Sequence, residues 1–295
     1  MKALVTGATG FIGSRLVSKL VDREVSVTCI TRSGNIQNPS VKSIPGDLTY
    51  ADFIIPDEQY DVVYHLAAAP PMEKNKKVLK GVNYDGPLNL FNLVKNKTKS
   101  FIYVSGLGVF GDTNNVIDEK TPLNPHTEYA KIRLDAQKYL ESECKEKSIP
   151  FTVVYLGEVY GNGGWFKSIV VERLKNGKFK LPKGGEYYRS FVHVDDVVSA
   201  LISIIEKNAF NQSFIVTDSK PALFKEFVNF VCDELGVKRP GGVPVFLAKA
   251  VLGGDFVKLL TTSTRTSNEK ISKLCDFVYP TYEEGVREVI SEMKS

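Results

Sequence analysis

A glycine-rich segment near the start of the chain has the residue types and spacing that hold a phosphate. The sequence TGATGFIG, residues 6–13, follows the first predicted strand and opens the first predicted helix. Gly7 permits a tight turn, Gly10 lets the backbone approach a pyrophosphate, and Gly13 lets the helix pack closely on the strand. Backbone N–H groups at the helix start, aided by the helix dipole, would hold the anion. A plain strand-to-helix turn is the alternative, but the strand context favours a dinucleotide site. Its candidate residues are Gly7, Thr9, Gly10, Phe11, Ile12 and Gly13.

A cation stands at the end of the second predicted strand, where the two nicotinamide dinucleotides are distinguished. An acidic residue there accepts from a free ribose 2′-OH, whereas a cation meets a 2′-phosphate. This sequence has Arg32 and Ser33 and no acid at the strand tip. Because both side chains can donate hydrogen bonds to a phosphate, the pattern favours NADP over NAD. The alternative is that Arg32 is an ordinary surface arginine.

Short β-branched runs alternate with helix-period segments, and these elements must position the two loops. The predicted strands are residues 3–6, 25–30, 61–65, 101–104 and 151–155. The predicted helices of the same half are residues 11–21, 78–94 and 129–144, with apolar positions three and four residues apart. Strands buried between helices predict an α/β fold with a doubly wound parallel sheet.

The pattern changes beyond about Gly157, where several glycines precede the strand-like run FVHV at residues 191–194. These breaks predict a smaller lobe interleaved with the end of the sheet. Later helices are predicted at residues 196–207 and 222–235. Two or three more are predicted through residues 245–260 and 282–293.

An ordered set of motifs extends across nearly the whole chain. They are TGATGFIG at 6–13, Gly46-Asp47-Leu48, HLAA at 65–68, Asn83, YVSGLGVFG at 103–111, Tyr129, VYGNGG at 159–164 and RSFVHVDDV at 189–197. Together they resemble the extended short-chain dehydrogenase/reductase family, specifically its NAD(P)-dependent sugar-nucleotide epimerase/dehydratase branch. The resemblance implies a dinucleotide-binding Rossmann domain over residues 1–156 and a smaller C-terminal, mainly substrate-binding lobe over residues 157–295. Segments at about 189–216 would return to the main domain.

The resemblance also implies cofactor contacts outside the glycine-rich loop. The matching residues are Asp47, Leu48, Leu66, Ala67, Ala68, Tyr129, Arg133, Glu158 and Val159. The Asp47 carboxylate would accept from the exocyclic amine of adenine. Glu158 and Val159 fall where the family's backbone meets the nicotinamide amide, although the usual preceding Arg-Pro is here Tyr155-Leu156.

The resemblance further implies a proton-transfer site, and this chain departs from the family pattern within it. The family uses a serine or threonine hydroxyl to orient the substrate, a tyrosine as general acid or base, and a lysine four residues later. An unperturbed tyrosine has a pKa of about 10, so proton transfer at neutral pH needs a nearby cation. Tyr129 matches the tyrosine, but Arg133 replaces the lysine, one helical turn later on the same face. Gly106 occupies the usual hydroxyl position, and Ser105 is the candidate to replace it.

Substrate contacts are implied for the second half of the chain. Arg189 matches an arginine that clamps the substrate diphosphate in sugar-nucleotide enzymes, a role suited to a guanidinium. Arg265 is a candidate for a second such contact. The alternative for Arg189 is an ion pair with Asp195 or Asp196. Trp165 could stack on a substrate base or sugar, or fill the core of the smaller lobe.

These residues predict an NAD(P)-dependent, NADP-preferring oxidoreductase or epimerase that acts on a nucleotide sugar or a related hydroxyl or carbonyl compound by hydride transfer. Tyr129 would exchange the proton, Arg133 would bind the ribose, and Ser105 would bond the reacting oxygen. Two alternatives stay open. One is a dinucleotide-binding sensor or assembly protein without efficient catalysis, suggested by Gly106 and Arg133. The other is an NADPH-dependent carbonyl reductase that does not bind nucleotide sugars specifically.

Composition favours an ordinary globular protein of the cytoplasm. The net charge of +4, from 38 basic and 34 acidic residues, gives no reason to expect a nucleic-acid or membrane partner. The four cysteines form no CxxC pair, so we expect reduced thiols and no metal site. The first residues lack a signal-peptide pattern, and no run approaches the roughly 20 apolar residues of a membrane span.

A homodimer is the one assembly that the resemblance suggests. Family members commonly pair through two helices from each subunit, which correspond here to residues 78–94 and 129–144. Leu88, Phe91 and Leu134 are candidates for the apolar outer stripe that such pairing requires, unless core burial explains them.

Overall fold

The computed structural model of the chain describes residues 1–50 and 53–294. Its strands are β1 (Lys2–Thr6), β2 (Ser26–Thr31), β3 (Val41–Pro45), β4 (Val62–His65), β5 (Phe101–Gly106), β6 (Phe151–Leu156), β7 (Glu158–Tyr160), β8 (Leu181–Pro182), β9 (Tyr188–Arg189), β10 (Phe191–His193), β11 (Ser213–Val216), β12 (Ala222–Leu223) and β13 (Gly242–Val243).

The helices cover the predicted segments with small differences at their ends. They are α1 (Phe11–Asp22), α2 (Lys76–Lys80), α3 (Gly86–Val94), α4 (Glu128–Glu146), α5 (Glu172–Lys175), α6 (Val194–Glu206), α7 (Phe224–Leu235), α8 (Val245–Leu252), α9 (Gly254–Leu260), α10 (Glu269–Ser272) and α11 (Tyr282–Lys294). A π-helical turn at Gly81–Asp85 joins α2 to α3. The predicted helix at 222–235 begins only at Phe224, because Ala222–Leu223 pair with Tyr188–Arg189 as antiparallel strands. The predicted segment at 245–260 divides at Gly253, whose φ of 92° interrupts the helix.

Seven strands form one parallel sheet in the order β11-β6-β5-β4-β1-β2-β3. The order reverses between β1 and β4, which pair in parallel with Thr6 opposite His65. Ligands of doubly wound sheets bind beyond the carboxyl ends of the strands at such a reversal. The predicted α/β fold with a doubly wound parallel sheet is therefore confirmed, and its switch point lies where the glycine-rich loop leaves β1.

Two compact units make up the chain. The first contains Met1–Gly106, Glu128–Tyr155 and Ala200–Phe214, and the second contains Leu107–Thr127, Leu156–Ser199 and Ile215–Ser295. The assignment of substrate binding to the C-terminal lobe stays a prediction.

The first unit buries two of the three residues considered for an outer dimer stripe. Phe91 is 0% exposed and Leu134 is 4% exposed within the chain. Core burial therefore explains both, and the interpretation of them as an outer stripe is wrong. Only Leu88 is partly exposed among the three. The homodimer itself stays a prediction.

The second unit has an aromatic core. Phe191 stacks on Phe227 with ring centroids 3.9 Å apart, and Tyr160 and Phe166 meet Phe227 edge-on. Burial of such rings is a large apolar contribution to stability. This core supports the strand pair of β7 and β10, which carries Glu158 opposite Phe191.

A buried carboxyl group in the second unit predicts a pH-dependent stability. Asp218 is 0% exposed, and burial raises its pKa from 3.8 to about 8. Because the pKa of Asp218 is higher in the folded than in the unfolded protein, its contribution to stability is complete below about pH 4. This contribution is lost as the pH rises through about 8. We therefore expect Asp218→Asn, which cannot ionise, to gain stability relative to the native protein between pH 5 and pH 8. Urea unfolding at both pH values measures this difference.

The control for this prediction is Asp195→Asn, because the Asp195 side chain is 54% exposed. Asp196, whose pKa burial raises to about 6, remains in both variants and contributes in the same direction. An unchanged stability difference between Asp218→Asn and the native protein at the two pH values would contradict the prediction.

Candidate active site

The glycine-rich loop is closed by contacts that leave no room for side chains. Gly7 has a φ of 73°, and a Cβ atom there would lie 2.7 Å from the backbone nitrogen of Ala67. A Cβ atom on Gly13 would lie 2.1 Å from the carbonyl oxygen of Gly7. The Gly10 amide donates to the Gly7 carbonyl over 2.9 Å, and α1 begins at the next residue. Since Gly10 has no side chain to cap α1, the helix N-terminus is available to an anionic ligand.

The carboxyl ends of β1 and β4 bring two predicted cofactor segments together. The Leu66 amide donates to the Thr6 carbonyl over 3.3 Å, and the Ala67 amide lies 3.4 Å from Thr6 Oγ1. Leu66 and Ala67 are partly exposed, and Ala68 is exposed. The segment at 66–68 thus runs beside Gly7, and its contact with a dinucleotide stays a prediction.

The residues predicted near the adenosine end occupy two neighbouring loops. Asp47 Oδ1 accepts from the amide and the hydroxyl of Thr49 over 2.9 and 2.7 Å, and Asn89 Nδ2 donates to the Leu48 carbonyl over 2.8 Å. One oxygen of the Asp47 carboxylate therefore orders its own turn. Arg32 is exposed and has no ion pair with any residue in the described part of the chain.

Ser33 is also exposed, and its hydroxyl oxygen accepts a hydrogen bond from the backbone amide of Asn35 over 3.4 Å. Of the remaining loop residues, Thr9 is exposed and Phe11 and Ile12 are partly exposed.

Tyr129 and Arg133 lie one turn apart at the start of α4, as predicted. Tyr129 is partly exposed, whereas Arg133 is only 4% exposed. Arg133 Nη2 donates to the carbonyl oxygen of Val104 in β5, and no carboxylate within the described residues pairs with this guanidinium. Its Nη1 is buried and meets no hydrogen-bond partner in residues 1–50 and 53–294. Ser105 Oγ, on the residue after Val104, is likewise buried without a described partner.

An aromatic column, Tyr103 and His65, lies against this guanidinium and was not identified from the sequence. The carbon Cζ of Arg133 lies 4.6 Å from the Tyr103 ring centroid, and the Tyr103 hydroxyl donates to the Arg133 carbonyl over 3.2 Å. His65 stacks on Tyr103 with centroids 5.8 Å apart, and its Nδ1 lies 2.7 Å from Thr6 Oγ1. Burial, and secondarily the Arg133 charge, lowers the His65 pKa to about 3, so the imidazole is neutral at physiological pH. An aromatic residue two positions before Ser105 was the only sequence signal for this arrangement.

In the second unit, Arg189 is engaged by the chain itself. Its Nη2 pairs with the Glu158 carboxylate, and its Nη1 donates to the carbonyls of Leu259 and Thr262 over 3.3 and 3.1 Å. The side chain is 9% exposed, and burial lowers its pKa to about 10. An ion pair is therefore present, but the partner is Glu158 and not the predicted Asp195 or Asp196.

Asp196 instead accepts from the backbone amides of Val278 and Tyr279 over 2.7 and 3.1 Å. Its carboxylate is thus occupied in holding the segment before α11. The Oδ2 atom of Asp195 lies 3.7 Å from Nδ1 of His193.

The other predicted substrate contacts also have partners within the second unit. Trp165 Nε1 donates to the Val159 carbonyl over 2.6 Å, and its ring packs edge-on against Phe166 at the border of the aromatic core. Arg265 donates to the Asn114 carbonyl over 2.7 Å and lies over the Tyr188 ring. Both side chains are partly exposed.

Residues 1–50 and 53–294 contain neither a membrane-spanning helix nor a group of metal-binding side chains. None of the helices in residues 1–50 and 53–294 combines the length and the apolar character needed to cross a membrane. The same residues contain no group of three or more histidine, cysteine, aspartate and glutamate side chains that could hold a metal ion.

Both the sequence and the fold of this chain resemble those of known proteins. The sequence model of the NAD dependent epimerase/dehydratase family matches residues 3–216. The human sterol-4-alpha-carboxylate 3-dehydrogenase, decarboxylating, is 25% identical over 81% of this chain and 68% of its own length. A 3-diazoavenalumate denitrifying reductase from Streptomyces is 25% identical over 97% of this chain and 99% of its own. The crystal structure of UDP-glucose 4-epimerase with UDP-glucose from Thermotoga maritima superposes with a TM-score of 0.84 at 23% identity, covering 100% of this chain and 99% of that one. At this identity the structural likeness shows the shared fold.

Proposed function

The chain belongs to the NAD-dependent epimerase/dehydratase family, and from this membership we propose that it is an NAD(P)-dependent oxidoreductase acting on a hydroxyl or carbonyl substrate. The observation that carries the proposal is the Arg133 guanidinium, which is buried without a carboxylate and keeps Nη1 unpartnered among the described residues. A buried charge with an unsatisfied hydrogen-bond donor is costly, so a ligand that accepts from Nη1 explains its position. The unpartnered Ser105 hydroxyl supports the same interpretation.

The residues present fit a nicotinamide dinucleotide. A Cβ atom at Gly7 or Gly13 would clash with neighbouring backbone, so these glycines allow the tight loop that leads into α1, whose N-terminus can bind a pyrophosphate. When bound, the dinucleotide supplies or accepts the hydride. Arg133 Nη1 would donate to its ribose hydroxyls.

Tyr129 and Ser105 act on the substrate in this proposal. The Tyr129 phenol gives or takes the proton at the reacting oxygen, and the Ser105 hydroxyl orients that oxygen. Arg133, one turn along α4, supplies the fixed positive charge of this site. We place Asp47, Leu48, Leu66, Ala67 and Ala68 along the adenosine and pyrophosphate.

We propose NADP as the preferred dinucleotide. Arg32 is exposed at the end of β2 without an ion-pair partner in the described residues, so its charge is available to a 2′-phosphate. Ser33 adds a hydroxyl donor at the same tip.

The substrate class has two candidates, and one contact favours the second. A nucleotide sugar is suggested by the family. An uncharged carbonyl or hydroxyl compound is favoured by the Arg189–Glu158 pair, because the guanidinium already meets a carboxylate and two carbonyls. A substrate diphosphate at Arg189 would have to displace Glu158 or face its negative charge.

The test of this proposal is to identify and titrate its ligands. We expect mass spectrometry of small molecules released from the freshly purified protein to detect NADP(H). In titrations, NADPH should bind about tenfold or more tightly than NADH, and Arg32→Ala should remove most of this preference through loss of a charge-assisted bond. Arg23→Ala is the control, because Arg23 is an exposed arginine of the same unit that pairs with Glu206.

The outcomes separate the candidates. NADH bound more tightly than NADPH, or an unchanged preference in Arg32→Ala, contradicts the assignment of Arg32. UDP and UDP-glucose that bind the holoprotein tightly support the nucleotide sugar, and no binding supports the carbonyl reductase. A retained dinucleotide that is never oxidised or reduced by any substrate in a broad carbonyl panel supports a non-catalytic binding protein.

A further inference from the structure

The aromatic column of Tyr103 and His65 lies against Arg133, which stands where the family has lysine. Arg133 is 4% exposed, and Tyr103 and His65 are 0% exposed. Its guanidinium has two contacts with strand β5: it lies over the Tyr103 ring, and Nη2 donates to the Val104 carbonyl. The backbone carbonyl of Arg133 also accepts from the Tyr103 hydroxyl. These contacts set both the position and the plane of the group.

A planar guanidinium needs such a surface more than an ammonium does. Arginine presents its donors in a rigid fork and stacks on aromatic faces, whereas lysine is a compact point charge with rotatable donors. A guanidinium with two of its sides held directs the remaining nitrogen in one direction. In this chain that nitrogen is Nη1, which has no partner in the described residues.

The Tyr103 ring is itself held from two sides. Its hydroxyl is bonded to the backbone of α4 over 3.2 Å, and its face stacks on the His65 imidazole at an angle of 19°. His65 is tied to Thr6 at the end of β1, from which the glycine-rich loop departs. Because the imidazole is neutral, Arg133 carries the only charge among the side chains of Arg133, Tyr103 and His65.

We propose that Tyr103 is a positioning residue for Arg133: its ring holds the guanidinium flat and directs Nη1 to the bound dinucleotide, which is what lets arginine serve in place of lysine. This inference rests on the proposed function. It assigns to the buried stack of Tyr103 on His65 a role in cofactor binding besides packing.

The test is a double-mutant cycle on dinucleotide affinity. In the native background, Tyr103→Leu is expected to weaken NADPH binding about tenfold or more, because the guanidinium loses its surface. Tyr103→Phe keeps the ring and is expected to stay within about threefold of the native affinity. In the Arg133→Lys background, Tyr103→Leu is expected to cost less than about threefold, because an ammonium does not use the ring.

A second readout separates positioning from packing. If the ring positions the guanidinium for the dinucleotide, Tyr103→Leu is expected to raise the KM for NADPH by more than it lowers kcat, and Tyr103→Phe is expected to leave both near the native values. Tyr155→Leu is the matched control, since Tyr155 is a buried tyrosine of the neighbouring strand β6 that bonds Gln137 of the same helix. It should lower the melting temperature without changing either readout. Where Tyr103→Leu does not fold, Tyr103→Met takes its place in the cycle.

The failures of the two proposals are distinguishable. An equal loss of affinity for Tyr103→Leu in the Arg133 and Arg133→Lys backgrounds overturns the positioning role and leaves the proposed function intact. If Arg133→Ala binds NADPH as tightly as the native protein, the placement of Arg133 on the dinucleotide fails, and the positioning role fails with it.

Discussion

Replacing Tyr129 with phenylalanine is expected to lower turnover by about two to four orders of magnitude, the usual contribution of a positioned acid or base. The phenolic hydroxyl is the only group removed, and the ring stays on α4 in its partly exposed position. None of the other residues proposed to contact the dinucleotide changes, the glycine-rich loop and Arg133 included. Dinucleotide affinity is therefore expected to stay within about twofold of the native value. Single-turnover kinetics with the identified substrate and a fluorescence titration of NADPH measure the two quantities.

Tyr139→Phe is the matched control for this experiment. Tyr139 lies on the same helix ten residues later and is also partly exposed, so it removes an equivalent hydroxyl away from Arg133. It should change neither turnover nor affinity. Turnover preserved in Tyr129→Phe would remove Tyr129 from the mechanism, and a loss of dinucleotide affinity equal to the loss of turnover would assign it to binding instead.

Restoring the family pattern addresses the altered positions directly. Gly106 and Arg133 motivate the view that the site has lost its catalytic function, yet the structure gives Arg133 a set of contacts that suit a guanidinium. A catalytic role adapted to arginine accounts for these contacts more simply than decay does. Under that role the combination of Gly106→Ser and Arg133→Lys lowers turnover, whereas a decayed site would gain activity.

The sequence predicted the fold well because its signals are local. The βα alternation, the glycine-rich loop and the positions of Tyr129 and Arg133 on one helix follow from spacing alone, and the structure has all of them. Two strands of the seven-stranded sheet, β3 and β11, were not predicted. Strand β3 is a half-exposed edge strand ending at Pro45, and β11 is only Ser213–Val216, so neither gives a long periodic pattern.

The contacts around the two arginines could not be predicted in the same way. His65 and Tyr103 are 38 residues apart in the sequence, and their stacking depends on the pairing of β4 with β5, which sets His65 opposite Tyr103. For Arg189, the alternative to a substrate contact was an ion pair with acidic neighbours six and seven residues later, but Glu158 is the partner, on a strand that pairs with β10. Sequence spacing predicts partners within one helix or turn, while these partners are set by the register between strands.

Replacing Gly13 with alanine is expected to disrupt the glycine-rich loop that we propose as the site of the pyrophosphate. The added Cβ atom would lie 2.1 Å from the Gly7 carbonyl oxygen and 2.8 Å from the Gly7 carbonyl carbon, so α1 and β1 must move apart. Because backbone, and not a flexible side chain, must shift, we expect a destabilisation of about 1–3 kcal/mol, typical of overpacking. The Gly10 amide bonds the same Gly7 carbonyl, so the loop that would meet the pyrophosphate changes shape with it. Dinucleotide affinity is expected to fall by about a hundredfold or more.

Gly254→Ala is the control that separates this effect from the general consequence of adding a methyl group. Gly254 begins α9, and a Cβ atom there would meet nothing within 4 Å. It should leave both the melting temperature and the affinity for NADPH unchanged. Titration of folded Gly13→Ala below its melting temperature then reports the loop alone. An affinity equal to that of the native protein would mean that the dinucleotide does not depend on the close approach of α1 to β1, and the pyrophosphate would have to be placed elsewhere.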